Sequence, residues 1–466
     1  MESGHSSQNV RTVTVLLVLL AAALTASWAL PDKAMEGHEC FVSVTARQML
    51  ASGDWIVPEF NGQMRLQKTP LNYWMVASIS KLTGKIDELT TRLPSMLLAI
   101  ASVAAILYFV NQWSGFTAAV IAALVWATSL GFFRYSHSGR PEMSLACFTA
   151  IAMLSFYSGV TEQNRKRQIR FMLIFWIAFS LAMLAKGPAP LPLVVVPLLA
   201  WIIAFRKFKT IPKMLPVIGS IIFLVVSLAW PIAVLMQLSQ GADADSAGHF
   251  WQQESIARFM GQNDSGDKPL YYYLPVMFQF MAPWVAFVPM ALFAPFYKVW
   301  QDKRKVLWYL WIWFVGDIVI MSISGGKRMH YIFPAMPAMA VMIGILLEDM
   351  IFLRKAYDAR FVRNLVYFHG GIFAAGAIAA VVYVAINNPV LLNQTIAIAA
   401  VAIISITLAA VLLIKNKKAA GFATIIAGYC VLMMTGYSFF AVPQSKLRYS
   451  KQFAQTVAAA VPTGAD

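Results

Sequence analysis

The chain has 466 residues, of which 59% are hydrophobic and only 12% charged, and its formal net charge is +16. A soluble chain carries about 25% charged residues, so this composition excludes a soluble multidomain protein of that length. The basic excess sits in short loops, with no long basic arm and no zinc motif. It reads as the positive charge that membrane proteins keep on the cytoplasmic side, not as a nucleic-acid footprint.

In chain order, apolar runs long enough to cross a bilayer fall at approximately 12–30, 92–110, 115–133, 142–160, 169–185, 187–205, 213–237, 272–296, 305–323, 331–350, 366–386, 393–414 and 419–441. These predict an all-α polytopic membrane protein with about thirteen spans. The first run follows Arg11, and Ser27-Trp28-Ala29 at its end loosely resembles a signal-cleavage site; its length favours a retained span. The segment 70–84 is apolar but short, and reads as an interfacial or re-entrant helix. The loops 160–170, 205–213, 297–305, 351–365 and 415–418 are dense in Lys and Arg and fall on alternate turns of the chain. They predict a cytoplasmic N-terminus and an outer C-terminal tail.

The opposite, extracytoplasmic face of an inner membrane then receives the long loops 31–91 and 238–271 and the turns near 134–141, 186–190 and 324–330. No internal repeat is evident. Residues 1–350, with these outer loops, read as one transmembrane core, and 351–466 as further helices and a short tail without a soluble domain. Cys40, Cys147 and Cys430 are scattered, which is neither a disulfide framework nor a metal cluster.

The outer loops carry the residues capable of chemistry. The first holds Glu36, His38 and Glu39 just beyond the first span, and carboxylates there can take a proton from a hydroxyl or meet a divalent cation. Ordinary solvated acids are the plainer reading. Lys68, in RLQKTPLNYW, is a point charge for a phosphate or a lysine snorkelling to the surface. The next turn, FFRYSHSGRPEMSLACF, sets Arg140 and Glu142 at the mouth of a span with His137 close by. Boundary charges are costly and mark function or a paired structure, here an Arg140–Glu142 ion pair.

Lys186 precedes Gly187-Pro188, which force a tight turn. In SISGGKRMHYIFPAMP, Gly325 and Gly326 permit close backbone approach, while Lys327, Arg328 and Tyr331 supply donors. A hairpin between helices needs no lysine, and these cations lie where the positive-inside tendency disfavours them. Together Lys68, Arg140, Lys186, Lys327, Arg328 and Tyr331 are expected to meet at one outward site suited to an anionic lipid phosphate beside a carboxylate.

On the segments ARQMLASGDWIVPEFNGQMRLQKTPLNYW, GRPEMSLACF, LAKGP, RFMG with PLYYYLPVMFQFMAPW, and SGGKRMHYIFPAMPAMA, the sequence resembles the polyprenyl-phosphate-dependent glycosyltransferases of the GT-C fold. The similarity is to the branch of protein O-mannosyltransferases and lipid A aminoarabinose transferases, over most of the first 350 residues. The resemblance implies that Lys68 binds the lipid phosphate, and that Arg140 and Glu142 stand for the family's Arg-x-Asp. It implies further that Lys186 matches its Lys-Gly-Pro turn, and Lys327 and Tyr331 its Lys-x-x-x-Tyr. The family's acidic pair falls on His38-Glu39, a departure that makes Glu39 the expected catalytic carboxylate and Glu36 its substitute. Gln67 stands where a glutamate is common and where some members have a metal nearby; a divalent cation is the one cofactor left open. His137 is an acceptor-side or loop candidate, as are His249, Glu254 and Arg258 in HFWQQESIARFMG, which an interfacial helix also explains.

The function so implied is inverting transfer of a sugar from a polyprenyl-phosphate donor to a lipid A-like lipid, protein or glycan acceptor on the outer face of the inner membrane. Membrane lipids, not nucleic acid, are the expected surroundings. The alternative is a transporter of polyprenyl-linked lipid or solute. Transporters place their sites near the bilayer midplane between repeated halves, a pattern this sequence lacks.

Overall fold

The computed structural model describes residues 2–238, 268–353, 359–446 and 456. It is a bundle of helices joined at one end by short basic loops and at the other by longer segments. Among the described residues ten helices can cross a membrane by length and composition, or eleven when the bent pair Phe116–Ala127 and Leu130–Ser136 is taken as one span. Two further expected spans, 187–205 and 272–296, contain apolar helices shorter than this limit, Pro190–Ala204 and Phe287–Phe296. Among the described residues the count of about thirteen spanning helices is therefore not reached, although each expected span contains an apolar helix.

The first helix, α1 (Glu2–Ser27), packs Val18, Ala22 and Ala26 into the main core. The Thr25 hydroxyl reaches the Ala127 carbonyl at 3.3 Å. This helix packs as part of the bundle. The loop that follows leads into α2 (Gly37–Ser52), a β-hairpin (β1 Glu59–Phe60, β2 Gln63–Met64) and α3 (Leu71–Thr83). The hairpin pairs Glu59 with Met64 and Phe60 with Gln63. Its two turn residues, Asn61 and Gly62, both have positive φ (53° and 73°), the conformation that Asn-Gly adopts most readily. At 13 residues α3 is too short to cross; it lies against α2 and α4 (Glu88–Ser114).

Asp87 opens α4 by accepting the Thr90 N–H at 2.9 Å, while the Thr90 hydroxyl accepts the Asp87 N–H at the same distance. α5 (Phe116–Ala127) and α6 (Leu130–Ser136) meet at a 60° bend. At that bend the Ser129 hydroxyl caps α6 by accepting the Phe132 N–H at 3.3 Å. α7 (Glu142–Thr161) runs to the far end and α8 (Arg165–Lys186) returns, with the intervening turn capped by the Asn164 side chain. α9 (Pro190–Ala204) and α10 (Pro216–Leu238) make the next excursion.

The segment expected as one span over 272–296 is broken into α11 (Tyr273–Met281) and α12 (Phe287–Phe293). α13 (Arg304–Ile323) comes back, and a 3-10 turn, Met329–Ala335, leads into α14 (Met336–Leu347), which is buried along its whole length. α15 (Ala359–Asn387), α16 (Leu392–Ile414) and α17 (Lys418–Gly436) stand beside this core. By this traversal, the loops after α7, α9 and α12 share one end of the bundle. The loops holding Glu36, Lys68, Arg140, Lys186 and Tyr331 share the other.

Candidate active site

Four segments are fastened together at that end. The α8–α9 turn is the first: Gly187 has φ 60° and ψ −142°, a backbone state open in practice to glycine alone. Its N–H donates to the Met183 carbonyl at 2.7 Å and is shared with the Thr69 hydroxyl at 3.1 Å. The buried Asn72 donates to the Ala185 carbonyl at 3.0 Å and accepts from the Ser144 hydroxyl at 2.7 Å. Thr69 and Asn72 thus hold the Lys68 segment against Lys186 on α8 and the first turn of α7, where Glu142 sits.

Glu142 is buried under cations. Its Oε1 is 3.1 Å from Arg140 Nη2, 3.2 Å from Lys186 Nζ and 3.5 Å from His330 Nε2. Arg140 Nη2 also reaches His330 Nδ1 at 3.4 Å. A guanidinium only donates, so His330 accepts at Nδ1 and carries its proton on Nε2, aimed at Glu142. The other carboxylate oxygen, Oε2, is buried with no hydrogen-bond partner among the described residues. Lys186 Nζ lies 5.8 Å from the centre of the Tyr331 ring.

Beside this cluster opens a cavity of ≈ 800 Å³. Lys68, Lys186 and Tyr331 line its polar end; Leu193 of α9, Phe223, Leu228 and Trp230 of α10, and Met321 of α13 wall the rest. Lys327 is buried nearby, and its carbonyl accepts from Lys268 Nζ at 2.9 Å. Arg328 and Lys68 both act on His38, together with Arg140 and Glu142. Partial burial and Arg140 hold the His38 imidazole below its ordinary value, with Arg328 and Lys68 pulling the same way and Glu142 opposing. The expected cations therefore share one end of the molecule, and Lys68, Lys186 and Tyr331 share one cavity.

The acids of the first loop fare differently from expectation. Glu39 was the expected catalytic carboxylate, yet it is 1% exposed and fully occupied. Its Oε1 accepts from Arg92 Nε at 2.9 Å and the Gly139 N–H at 2.7 Å; its Oε2 accepts from Arg92 Nη2 at 2.8 Å and the Glu36 N–H at 2.9 Å. Four donors exhaust the acceptor sites of a carboxylate, so none is left for a substrate hydroxyl.

Glu36 is half-exposed and paired with Lys33. Burial raises its pKa, but Lys33, then Arg140 and Arg134, outweigh it and leave the carboxyl below the usual range, which weakens it as a base. His137, expected on the acceptor side, is buried within the protein instead. Its Nδ1 lies 2.8 Å from the Phe133 carbonyl and its Nε2 2.9 Å from the Trp28 carbonyl, and its ring stacks on Phe133. His249, Glu254 and Arg258 lie outside the described residues.

Among the described residues no three His, Cys, Asp or Glu side chains gather to hold a metal ion. Among the described residues Glu36, Glu39 and Glu142 are each engaged by a cation. Cys40, Cys147 and Cys430 are free thiols. Sequence reasoning passed over His330, Lys268 and Arg92. His330 stood within the segment already singled out, between Arg328 and Tyr331; Arg92 looked like the first residue of an apolar span.

The family described as dolichyl-phosphate-mannose-protein mannosyltransferase matches residues 67–231. An undecaprenyl phosphate-alpha-4-amino-4-deoxy-L-arabinose arabinosyl transferase of Edwardsiella ictaluri is 26% identical over 301 residues, 64% of this chain and 52% of that protein. The protein of the same description from Serratia proteamaculans is 25% identical over 311 residues, 66% of this chain and 54% of that one. The chain thus spans about half the length of the curated relatives it matches.

Among solved structures, ArnT from Cupriavidus metallidurans bound to undecaprenyl phosphate superposes with a TM-score of 0.83 at 19% identity, over 97% of this chain and 81% of that one. The apo oligosaccharyltransferase of Archaeoglobus fulgidus gives 0.51 at 14% identity, over 76% and 54%. The chain has the GT-C-type fold of these transferases. The resemblance read from its motifs is found, on the aminoarabinose transferase side.

Proposed function

We infer that this protein is a glycosyltransferase that moves a sugar from a polyprenyl-phosphate donor to an acceptor at the extracytoplasmic face of the inner membrane. One observation carries the reading: an ≈ 800 Å³ cavity whose walls are apolar and whose polar end presents Lys68, Lys186 and Tyr331 beside the Glu142 cluster. That is the shape of an amphiphile with an anionic head. The likeness to transferases of undecaprenyl phosphate-linked aminoarabinose supports a pentose-like sugar.

In the proposed step the acceptor oxygen attacks the anomeric carbon from the face opposite the phosphate. The bond from that carbon to the phosphate oxygen breaks, and polyprenyl phosphate leaves. Lys68, Lys186 and Tyr331, with Arg140 behind them, meet the charge that appears on the leaving group. Where the acceptor is a hydroxyl, the half-exposed Glu36 is the carboxylate that can take its proton; Glu39 is saturated, and Glu142 is buried against Arg140, Lys186 and His330. A phosphate acceptor needs no base, and with either acceptor Glu142 keeps Arg140, Lys186 and His330 in place.

The test is transfer in proteoliposomes from a labelled polyprenyl-phosphate sugar. Covalent attachment of the label to a lipid acceptor is expected, whereas label that only changes sides of the bilayer would indicate a transporter. Lys68→Ala removes one charge-assisted contact, about 1.5–3 kcal/mol, and is expected to raise KM for the donor about 10- to 100-fold. With a hydroxyl acceptor, Glu36→Gln is expected to lower kcat at least about 100-fold. Near-normal kcat would remove Glu36 from the base role.

A further inference from the structure

Arg92 and Glu39 form the most completely satisfied polar group in the described structure. Arg92, 0% exposed near the start of α4, uses all five of its N–H donors. Two go to Glu39, at 2.9 and 2.8 Å. The others go to the carbonyls of Leu30 at 2.8 Å, Lys33 at 2.7 Å and Ala34 at 3.1 Å, in the chain leaving α1. Glu39 in turn accepts the Gly139 N–H at 2.7 Å. Gly139 is the residue before Arg140, and it is wedged against α4: a Cβ placed there would stand 2.5 Å from Thr91 Cγ2 and 3.0 Å from the Thr91 carbonyl oxygen. One ion pair therefore joins the exit of α1, the start of α2, the first turns of α4 and the turn that delivers Arg140 to Glu142.

We propose that the Arg92–Glu39 pair is a positioning device. Through the Gly139 amide it sets the height of the 137–141 turn, and so the reach of Arg140 to Glu142 and His330 at the cavity mouth. Neither residue touches substrate. Arg140 Nη2 must meet Glu142 at 3.1 Å and His330 at 3.4 Å together, and a turn displaced by an ångström loses both contacts. The Cβ clash at Gly139 supplies a way to move the turn without touching either charge.

The catalytic consequence rests on the transferase reading, whereas the positioning itself is read from the backbone. Two variants test it, Glu39→Gln and Gly139→Ala, the second alone and combined with Thr91→Ser. Thr91→Ser deletes the obstructing methyl and keeps the hydroxyl, which bonds the Asp87 carbonyl at 2.8 Å. Amide hydrogen exchange in detergent is expected to show faster exchange in 137–141 for Glu39→Gln and Gly139→Ala, with the spanning helices unchanged.

Undecaprenyl phosphate affinity is expected to fall at least tenfold in Gly139→Ala, and Thr91→Ser is expected to recover part of it. The ratio kcat/KM for transfer should follow the same order. Wild-type exchange and affinity in Gly139→Ala, or no recovery with Thr91→Ser, would overturn the proposal. A wild-type protein that binds undecaprenyl phosphate but transfers no sugar would instead overturn the transferase reading, and leave the exchange and affinity results to judge the positioning.

Discussion

His137 gives a pH dependence its own signature. Burial, outweighing its bonds to the Phe133 and Trp28 carbonyls, lowers its pKa from 6.5 to about 4. The unfolded chain takes up a proton below pH 6.5 that the folded chain refuses until about pH 4. Stability from this group is therefore present above pH 6.5 and is lost as pH falls toward 4, about 3 kcal/mol in all. Thermal unfolding in detergent at pH 7 and pH 4.5 should show that loss, and His137→Asn should flatten it.

The same residue marks the limit of reading chemistry from sequence. A histidine and an acid beside a membrane boundary look alike whether they face solvent or a carbonyl. Lys186 and Lys327 were legible because a bare turn needs no lysine, while Lys68 and Tyr331 gained meaning only alongside them. Glu39 was legible as important but not in its role, since that role depends on Arg92 and Gly139, 53 and 100 residues away.

At the scale of elements, the α8–α9 turn places Lys186, and its backbone sets the demand. A Cβ on Gly187 would meet only Thr69 Cγ2, at 3.7 Å, so space is available. The φ of 60° with ψ −142° is what an L-residue resists, at about 1–3 kcal/mol. Gly187→Ala is expected to lower unfolding free energy by that amount and to raise the donor KM as Lys186 shifts, checked by thermal unfolding and steady-state kinetics.

The Lys-Gly-Pro sequence announced this turn. The bend between α5 and α6 had no comparable sign. Thr128 and Ser129 sit in an apolar stretch, and a window averaged over a whole span absorbs them, although their side chains bond the Leu124 carbonyl and cap the next helix. The break between α11 and α12 did carry a sign, Pro283, which a length rule does not weigh. Hydropathy reports how much of a segment prefers lipid; it is blind to the local hydrogen bonds that decide whether the segment is one helix or two.

For the molecule as a whole, the alternation of basic loops makes a prediction about sides. Cysteines placed at Lys68 and Arg328 should react with an impermeant reagent from one face of the membrane, and cysteines at Lys166 and Lys209 from the other. Labelling of 68 and 328 from opposite faces would dismantle the site. Membrane class, the apolar segments and the gathering of cations at one end of the bundle were legible, because each follows from where apolar and charged residues fall along the chain. The cavity was not, since it is the space left between α8, α9, α10 and α13 once they have packed.

Its outer wall, α10, turns Val217, Ile218, Ile221 and Val225 outward. A compartment fenced on that side by one greasy helix admits its guest sideways, from the surrounding lipid, without a passage through water. For such an enzyme, supply is counted in molecules per area of bilayer. Diluting a vesicle suspension tenfold should leave turnover untouched, while diluting the donor tenfold with inert phospholipid should slow it.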